Sequence, residues 1–178
     1  MPTPSSAVTL ESLLPNSKPV TPKGPPKISF QPSGPCPARL MVVGEAPGEK
    51  EVELATPFVG PSGYLLDNTL QDVGLHRSMC FVTNVVRERP FKNDLEEAGM
   101  IAETLKQRTA DHQFIWGKWV DSRVRFGLEL LEAEIEECRP TVVVALGNLA
   151  LWALTGQWGI RKWRSSILQG TTKSGHKF

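Results

Sequence analysis

The sequence contains no Cys-x-x-Cys pair. Its three cysteines, Cys36, Cys80 and Cys138, stand far apart, which argues against a disulfide framework or a zinc site and makes a reducing compartment the default. No apolar run approaches the ~20 residues that a membrane helix needs. No basic segment followed by an apolar one opens the chain, so a signal peptide is not expected and a cytoplasmic, non-secreted protein is. An excess of charge is missing too. The 20 basic residues are matched by 19 acidic ones, for a net charge of +1, so any basic face must be local. What remains is a chain of 178 residues, 40 % hydrophobic and 22 % charged, which suits a globular domain with one sizeable core.

Proline is concentrated in residues 1–35, with Ser and Lys between. Such a segment buries too little apolar surface to offset its ordering entropy and reads as a disordered tail. A short amphipathic piece within it, "VTLESLL", could dock elsewhere. The domain is expected over 36–178. "RLMVVG" is an apolar run ending in glycine, as in a buried parallel strand. "PSGYLLDNTLQDVG" reads as a helix, with Pro61 in its first turn, Leu65, Leu66, Thr69, Leu70 and Val73 on one face, and Gly74 at its end. "CFVTNVV" is a second strand. Residues 91–122 read as an insertion, with a helix over Leu95–Gln107 and a Trp116/Trp119 pair. "VRFGLELLEAEIEECRP" is an amphipathic helix with Phe126, Leu130, Leu131 and Ile135 inward. "TVVVALG" is a third buried strand, and "NLALWALTG" a helix capped by Asn148 and stopped by Gly156. Alternating strands and helices predict an α/β fold: a three-layer sandwich with a central parallel sheet of about four strands and helices on both faces.

Ligands of open α/β sheets bind beyond the carboxyl ends of the strands. Three loops lie there: Gly44–Gly60, Thr83–Pro90 and Leu146 onward. The first, "GEAPGEKEVELATPFVG", breaks its backbone with Gly44, Pro47, Gly48, Pro57 and Gly60 around the acid Glu45 and the aromatic Phe58. A glycine-rich strand exit favours a ligand role for Glu45, against that of a solvated loop acid. Phe58 suits either a ligand contact or a plug of the loop onto the core. Asn84, an amide in an apolar strand, needs partners that backbone or a ligand could supply. "GEAPG" lacks the Lys and Ser/Thr of a phosphate loop. "GQWGIRKWRSS" holds the basic-aromatic cluster Arg161, Lys162, Trp163 and Arg164, suited to tracking a nucleic-acid backbone or to a solvated charge run around packed indoles.

Taken in order, "GEAPG", "PFVGPSG", "TNVVRERP" and "RPTVVVALG" resemble the motifs of the uracil-DNA glycosylase superfamily, family 4 type, over about Arg39 to Gly156. The resemblance implies excision of uracil from DNA. It implies that Glu45 positions water, Phe58 stacks on the extracted base, Asn84 reads the uracil edge, and Ala46 and Gly48 supply backbone contacts. Related modules attached to phage-type DNA polymerases imply a polymerase or other replication protein as a further partner, in a bacterial or viral-host cell. Two departures stand out. The family binds an iron–sulfur cluster through four cysteines, and here Glu88 takes one cysteine's place. With three scattered thiols, no cluster, metal or other cofactor is expected. The family's last motif is a His-Pro pair whose histidine stabilises the departing uracil anion. No His-Pro occurs here; family spacing puts it just beyond Phe178, and His176 precedes that position. Two functions follow: a glycosylase whose full-length form is active, or an inactive glycosylase-fold module that binds DNA or docks a replication partner.

Overall fold

A computed structural model describes residues 27–178, and the tail assigned to 1–35 lies largely outside this range. In chain order the elements are β1 (Leu40–Gly44), α1 (Glu49–Glu53), α2 (Pro61–Asp72), β2 (Cys80–Asn84), β3 (Ile101–Ala102), β4 (Gln113–Ile115), β5 (Lys118–Val120), α3 (Ser122–Cys138), β6 (Val142–Ala145), α4 (Asn148–Thr155) and α5 (Ile160–Trp163). The fold is mixed α/β. The main sheet has the order β2-β1-β6 and is parallel throughout. It has three strands among the described residues, against the four or so suggested by the sequence.

Strand alternation divides the core. Met41 and Val43 of β1 pack with Phe81, Leu131, Ile135, Leu149 and Trp152, on the side of α3 and α4. Val42 packs with Cys80, Val82, Leu66 and Leu70, on the side of α2. The sequence-based faces of the helices need adjustment. In α2 only Leu66 and Leu70 of the expected stripe are buried, while Leu65 and Val73 are exposed. The inward stripe of α3 runs through Val124, Gly127, Leu131, Ile135 and Cys138. It is turned from the expected one because Gly127 lies against the Val85 carbonyl, where no Cβ fits. β6 is an edge strand rather than a fully buried one: Val143 and Ala145 face the core, but Val142 and Val144 are exposed.

The insertion is not helical over Leu95–Gln107. Asp94 Oδ1 accepts the amides of Glu96 and Glu97 in a tight turn, and the chain then forms a small antiparallel sheet of order β3-β5-β4. Asp121, the N-cap of α3, accepts the amides of Arg123 and Val124. The α4 helix also differs from expectation. Its N-cap is Gly147, and Asn148 is already helical.

Residues 27–38 run along the free edge of β2. Ser33 exchanges backbone hydrogen bonds with Val82 at 3.0 and 2.8 Å, and the Ser29 amide donates to the Arg87 carbonyl. Phe30 is buried beneath the Arg87 guanidinium. A disulfide joins Cys36 to Cys138, correcting the expectation of three unpaired thiols. Its cause is tertiary: the Ala38 amide donates to the Cys138 carbonyl, which lays the two segments side by side. Cys80 is free and buried, and burial raises its thiol pKa, opposed by Arg77.

Candidate functional site

Gly44 and Asn84 are paired across β1 and β2 at their carboxyl ends. The ladder continues one step further, with the Val85 amide donating to Gly44 and the Val86 amide to Glu45. Glu45 and Asn84 therefore leave the sheet at the same edge. A cavity of about 750 Å³ opens there, and Glu45, Ala46, Gly48, Phe58 and Asn84 all line it, together with Leu146 from the end of β6.

The glycines of the loop make room for these side chains. A Cβ on Gly44 would stand 2.5 Å from Phe58 Cζ and collide with Asn84 Oδ1, so the ring and the carboxamide meet above this residue. A Cβ on Gly147 would stand 2.7 Å from Glu45 Oε1. Gly147 also has φ of 107°, which side chains disfavour. In this space Glu45 Oε1 accepts the amide of Leu149 at 2.9 Å. The carboxylate thus sits at the positive end of α4, although it belongs to the loop after β1. Asn84 is 2 % exposed, yet no described residue hydrogen-bonds its carboxamide. The amide singled out in the sequence lines the cavity.

Two further residues of this edge were not read as site residues in the sequence. Buried Glu51 accepts the amides of Val59 and Gly60 on Oε1, at 3.0 and 2.8 Å. Its signal was present in the glycines at 48 and 60, both of which crowd its carboxylate. Asn148, read as a helix cap, uses Oδ1 to accept the Ile160 amide at 2.8 Å. That bond fastens α5 to the helix turn that holds Glu45. Arg161, Lys162, Trp163 and Arg164 therefore lie near this edge without lining the cavity. The three cations are exposed and Trp163 is half-buried, with Lys162 over its ring. Trp158 is packed beneath Lys118 instead, and Trp152 is core, donating to the Trp116 carbonyl.

No histidine lines the cavity among the described residues. His176 lies at the other end of the sheet, with Nε2 3.0 Å from the carbonyl of Pro140, just before β6. The marked shifts in acidity also fall elsewhere. Burial raises the carboxyl pKa of Asp121 against the opposing Arg123, and that of Glu134 against Arg87, while burial lowers the imidazole pKa of His112.

The residues present do not fit an iron–sulfur cluster. Cys36 and Cys138 are bonded to each other and Cys80 is buried alone. At the position of the expected ligand, Glu88 accepts the Lys27 amide and pairs with Arg123 at 3.4 Å, and Arg123 pairs in turn with Asp121. An ion network occupies this place.

Fold and site together define an α/β domain with a cavity at the carboxyl edge of a parallel sheet. The chain belongs to the uracil DNA glycosylase superfamily, whose family profile matches residues 31–176. It is 34 % identical over 113 residues to the type-4 uracil-DNA glycosylase of Thermotoga maritima, covering 64 % of this chain and 47 % of that protein. It is 32 % identical over 136 residues to the type-4 uracil-DNA glycosylase of Pyrobaculum aerophilum, covering 76 % of this chain and 58 % of that protein. The chain spans about half the length of the curated relatives it matches. Among the described residues, no helix is long and apolar enough to cross a membrane.

Proposed function

We propose that this domain recognises uracil extruded from DNA and forms the base-binding, water-orienting part of a uracil-DNA glycosylase. The reading rests on Asn84, a buried amide that no described residue hydrogen-bonds, set against an aromatic ring. Uracil offers a donor at N3 and an acceptor at O4. Asn84 Oδ1 accepts the first and Nδ2 donates to the second, whereas cytosine reverses both and leaves buried polar atoms unpaired. Phe58 stacks on the base, and the backbone at Ala46 and Gly48 completes its binding. Arg161, Lys162 and Arg164 hold the phosphate chain beside the cavity, with Trp163 among them. Glu45 has Oε1 engaged by Leu149 and orients water with the rest of its carboxylate. The C1′–N1 bond breaks with its electron pair passing to uracil, water adds to the oxocarbenium-like sugar, and the proton that this water releases passes by way of Glu45 to the departed uracil anion. The names of the type-4 relatives support this reading.

A second reading, a module that binds DNA without excising the base, is favoured by a cavity lining that holds no histidine among the described residues. The anion formed as uracil departs needs a donor, and one such donor is typically worth about two to three orders of magnitude in rate. The replication partner implied by the resemblance is proposed on that resemblance alone.

One experiment tests both readings. Binding and alkali-sensitive cleavage are measured on single-stranded oligonucleotides bearing one uracil or, at the same position, one cytosine, with Glu45→Ala and Asn84→Ala as controls. Weak, salt-sensitive binding that prefers uracil and loses the preference in Asn84→Ala is the expected result. Little or no abasic product is expected from this chain, as the second reading requires. Robust cleavage abolished by Glu45→Ala would exclude that reading, and equal binding of uracil and cytosine would overturn the base-recognition proposal.

A further inference from the structure

Phe58 stands in the cavity with φ of 54°, a left-handed conformation that large side chains seldom adopt. Such a residue persists only where its surroundings over-determine it. Two charged side chains do so. On one side, Arg77 donates to the Pro57 and Gly63 carbonyls at 3.1 Å each and is anchored by Asp67 at 2.6 Å. On the other, Glu51 Oε1 accepts the two amides that follow Phe58, those of Val59 and Gly60. Gly60 is also the N-cap of α2, which has no side-chain cap of its own. The buried carboxylate therefore lies at the positive end of a 12-residue helix. Space is reserved for it: a Cβ at Gly48 would stand 2.7 Å from Oε2, and one at Gly60 3.1 Å from Oε1.

We infer that Glu51 is a positioning residue: it holds Phe58 in its left-handed turn, with the ring against Gly44 and Asn84, and so sets the stacking face of the cavity. The significance for uracil rests on the function proposed above. The positioning itself does not, and can be read without a ligand.

The test uses the full chain and its Glu51→Gln, Glu51→Ala, Phe58→Ala and Glu51→Ala/Phe58→Ala variants. The Phe58 ring lies against Gly44, so it shifts the magnetic resonance of the Gly44 Cα protons. Glu51→Ala should move that resonance to its position in Phe58→Ala and speed amide exchange at Val59 and Gly60. Glu51→Gln retains an acceptor oxygen and should keep most of the Gly44 shift, with exchange at the two amides accelerated several-fold. Resonances of Leu131 and Ile135, in the opposite core, report that the fold is intact. An unchanged Gly44 resonance in folded Glu51→Ala would overturn the inference. Should that variant not fold, unchanged exchange at Val59 and Gly60 in Glu51→Gln would overturn it.

Preference for the uracil over the cytosine oligonucleotide then measures the consequence. Loss of one stacked base corresponds to about 5- to 150-fold in affinity. Glu51→Ala and Phe58→Ala should each lower the preference, and the double variant should be no worse than Phe58→Ala. Additive losses would show that Glu51 acts other than through Phe58 and would overturn the inference. No preference in the unmodified chain would overturn the proposed function, while the Gly44 resonance would still decide the role of Glu51.

Discussion

Glu45 caps a helix through an amide 104 residues further along the chain, its Oε1 lying 2.9 Å from the amide of Leu149 in the first turn of α4. The contact joins the loop after β1 to the element after β6, across the carboxyl edge of the sheet. It orients the carboxylate as well as stabilising the helix. Glu45→Ala should lower stability by about 1 kcal/mol, the usual cost of a lost cap, while Glu45→Gln keeps an acceptor and should cost less. Urea denaturation of the two variants checks the difference. Any abasic product formed by the unmodified chain should be abolished by Glu45→Ala.

Gly44 separates Phe58 from the sheet by the absence of a side chain. Gly44→Ala should place a methyl group where the ring and Asn84 Oδ1 meet. Overpacking of this kind typically costs about 1–3 kcal/mol. The expected outcome is a folded protein that has lost its preference for the uracil oligonucleotide. Wild-type preference in Gly44→Ala would show that Phe58 and Asn84 do not form the base site.

The cations of α5 lie outside the cavity, and their contribution should be electrostatic. Replacing Arg161, Lys162 and Arg164 together by alanine should weaken binding to uracil and cytosine oligonucleotides alike. The slope of log affinity against log salt should fall by about 2, at ~0.7 per phosphate contact on a single strand. Titrations at several salt concentrations give this slope. An unchanged slope would remove these residues from the DNA path.

His112 should make stability depend on pH. It is buried, and among the described residues its Nε2 has no hydrogen-bond partner. Burial lowers its folded-state pKa below 6.5, opposed by Asp121 and Asp111, with Arg123 and Arg125 assisting. Between the folded and unfolded values the unfolded chain binds more protons, so the stabilisation is present above the unfolded pKa and is lost as pH falls through 6.5 toward the folded value. Asp121 and Glu134, whose pKa values burial raises, act in the opposite sense over their own range. The difference between the unmodified protein and His112→Gln, followed by urea unfolding from pH 7.5 to pH 5, isolates the histidine. Equal pH dependence in the two proteins would contradict this assignment.

The sequence by itself determined the three main strands, the helices between them and the strand end from which Glu45 emerges. Those features follow from local causes: apolar β-branched runs, helical periodicity, and glycine or proline where an element stops. From them alone, Asn84 could be singled out as an amide in an apolar strand. Only the tertiary structure decided what each side chain meets. Periodicity tells which face is apolar and is silent about what lies opposite. The bond from Glu45 to Leu149, the Cys36–Cys138 disulfide across 102 residues, and the turning of α3 to seat Gly127 on Val85 all depend on distant segments. The same holds for the insertion, where Leu95–Gln107 has helical composition but Asp94 and Gln107 satisfy its amides in turns. Glu51 lies between the two cases. The glycines that admit its carboxylate are plain in the sequence, but that they make room for an acid, and that the acid holds Phe58, emerges only when the loop closes on itself.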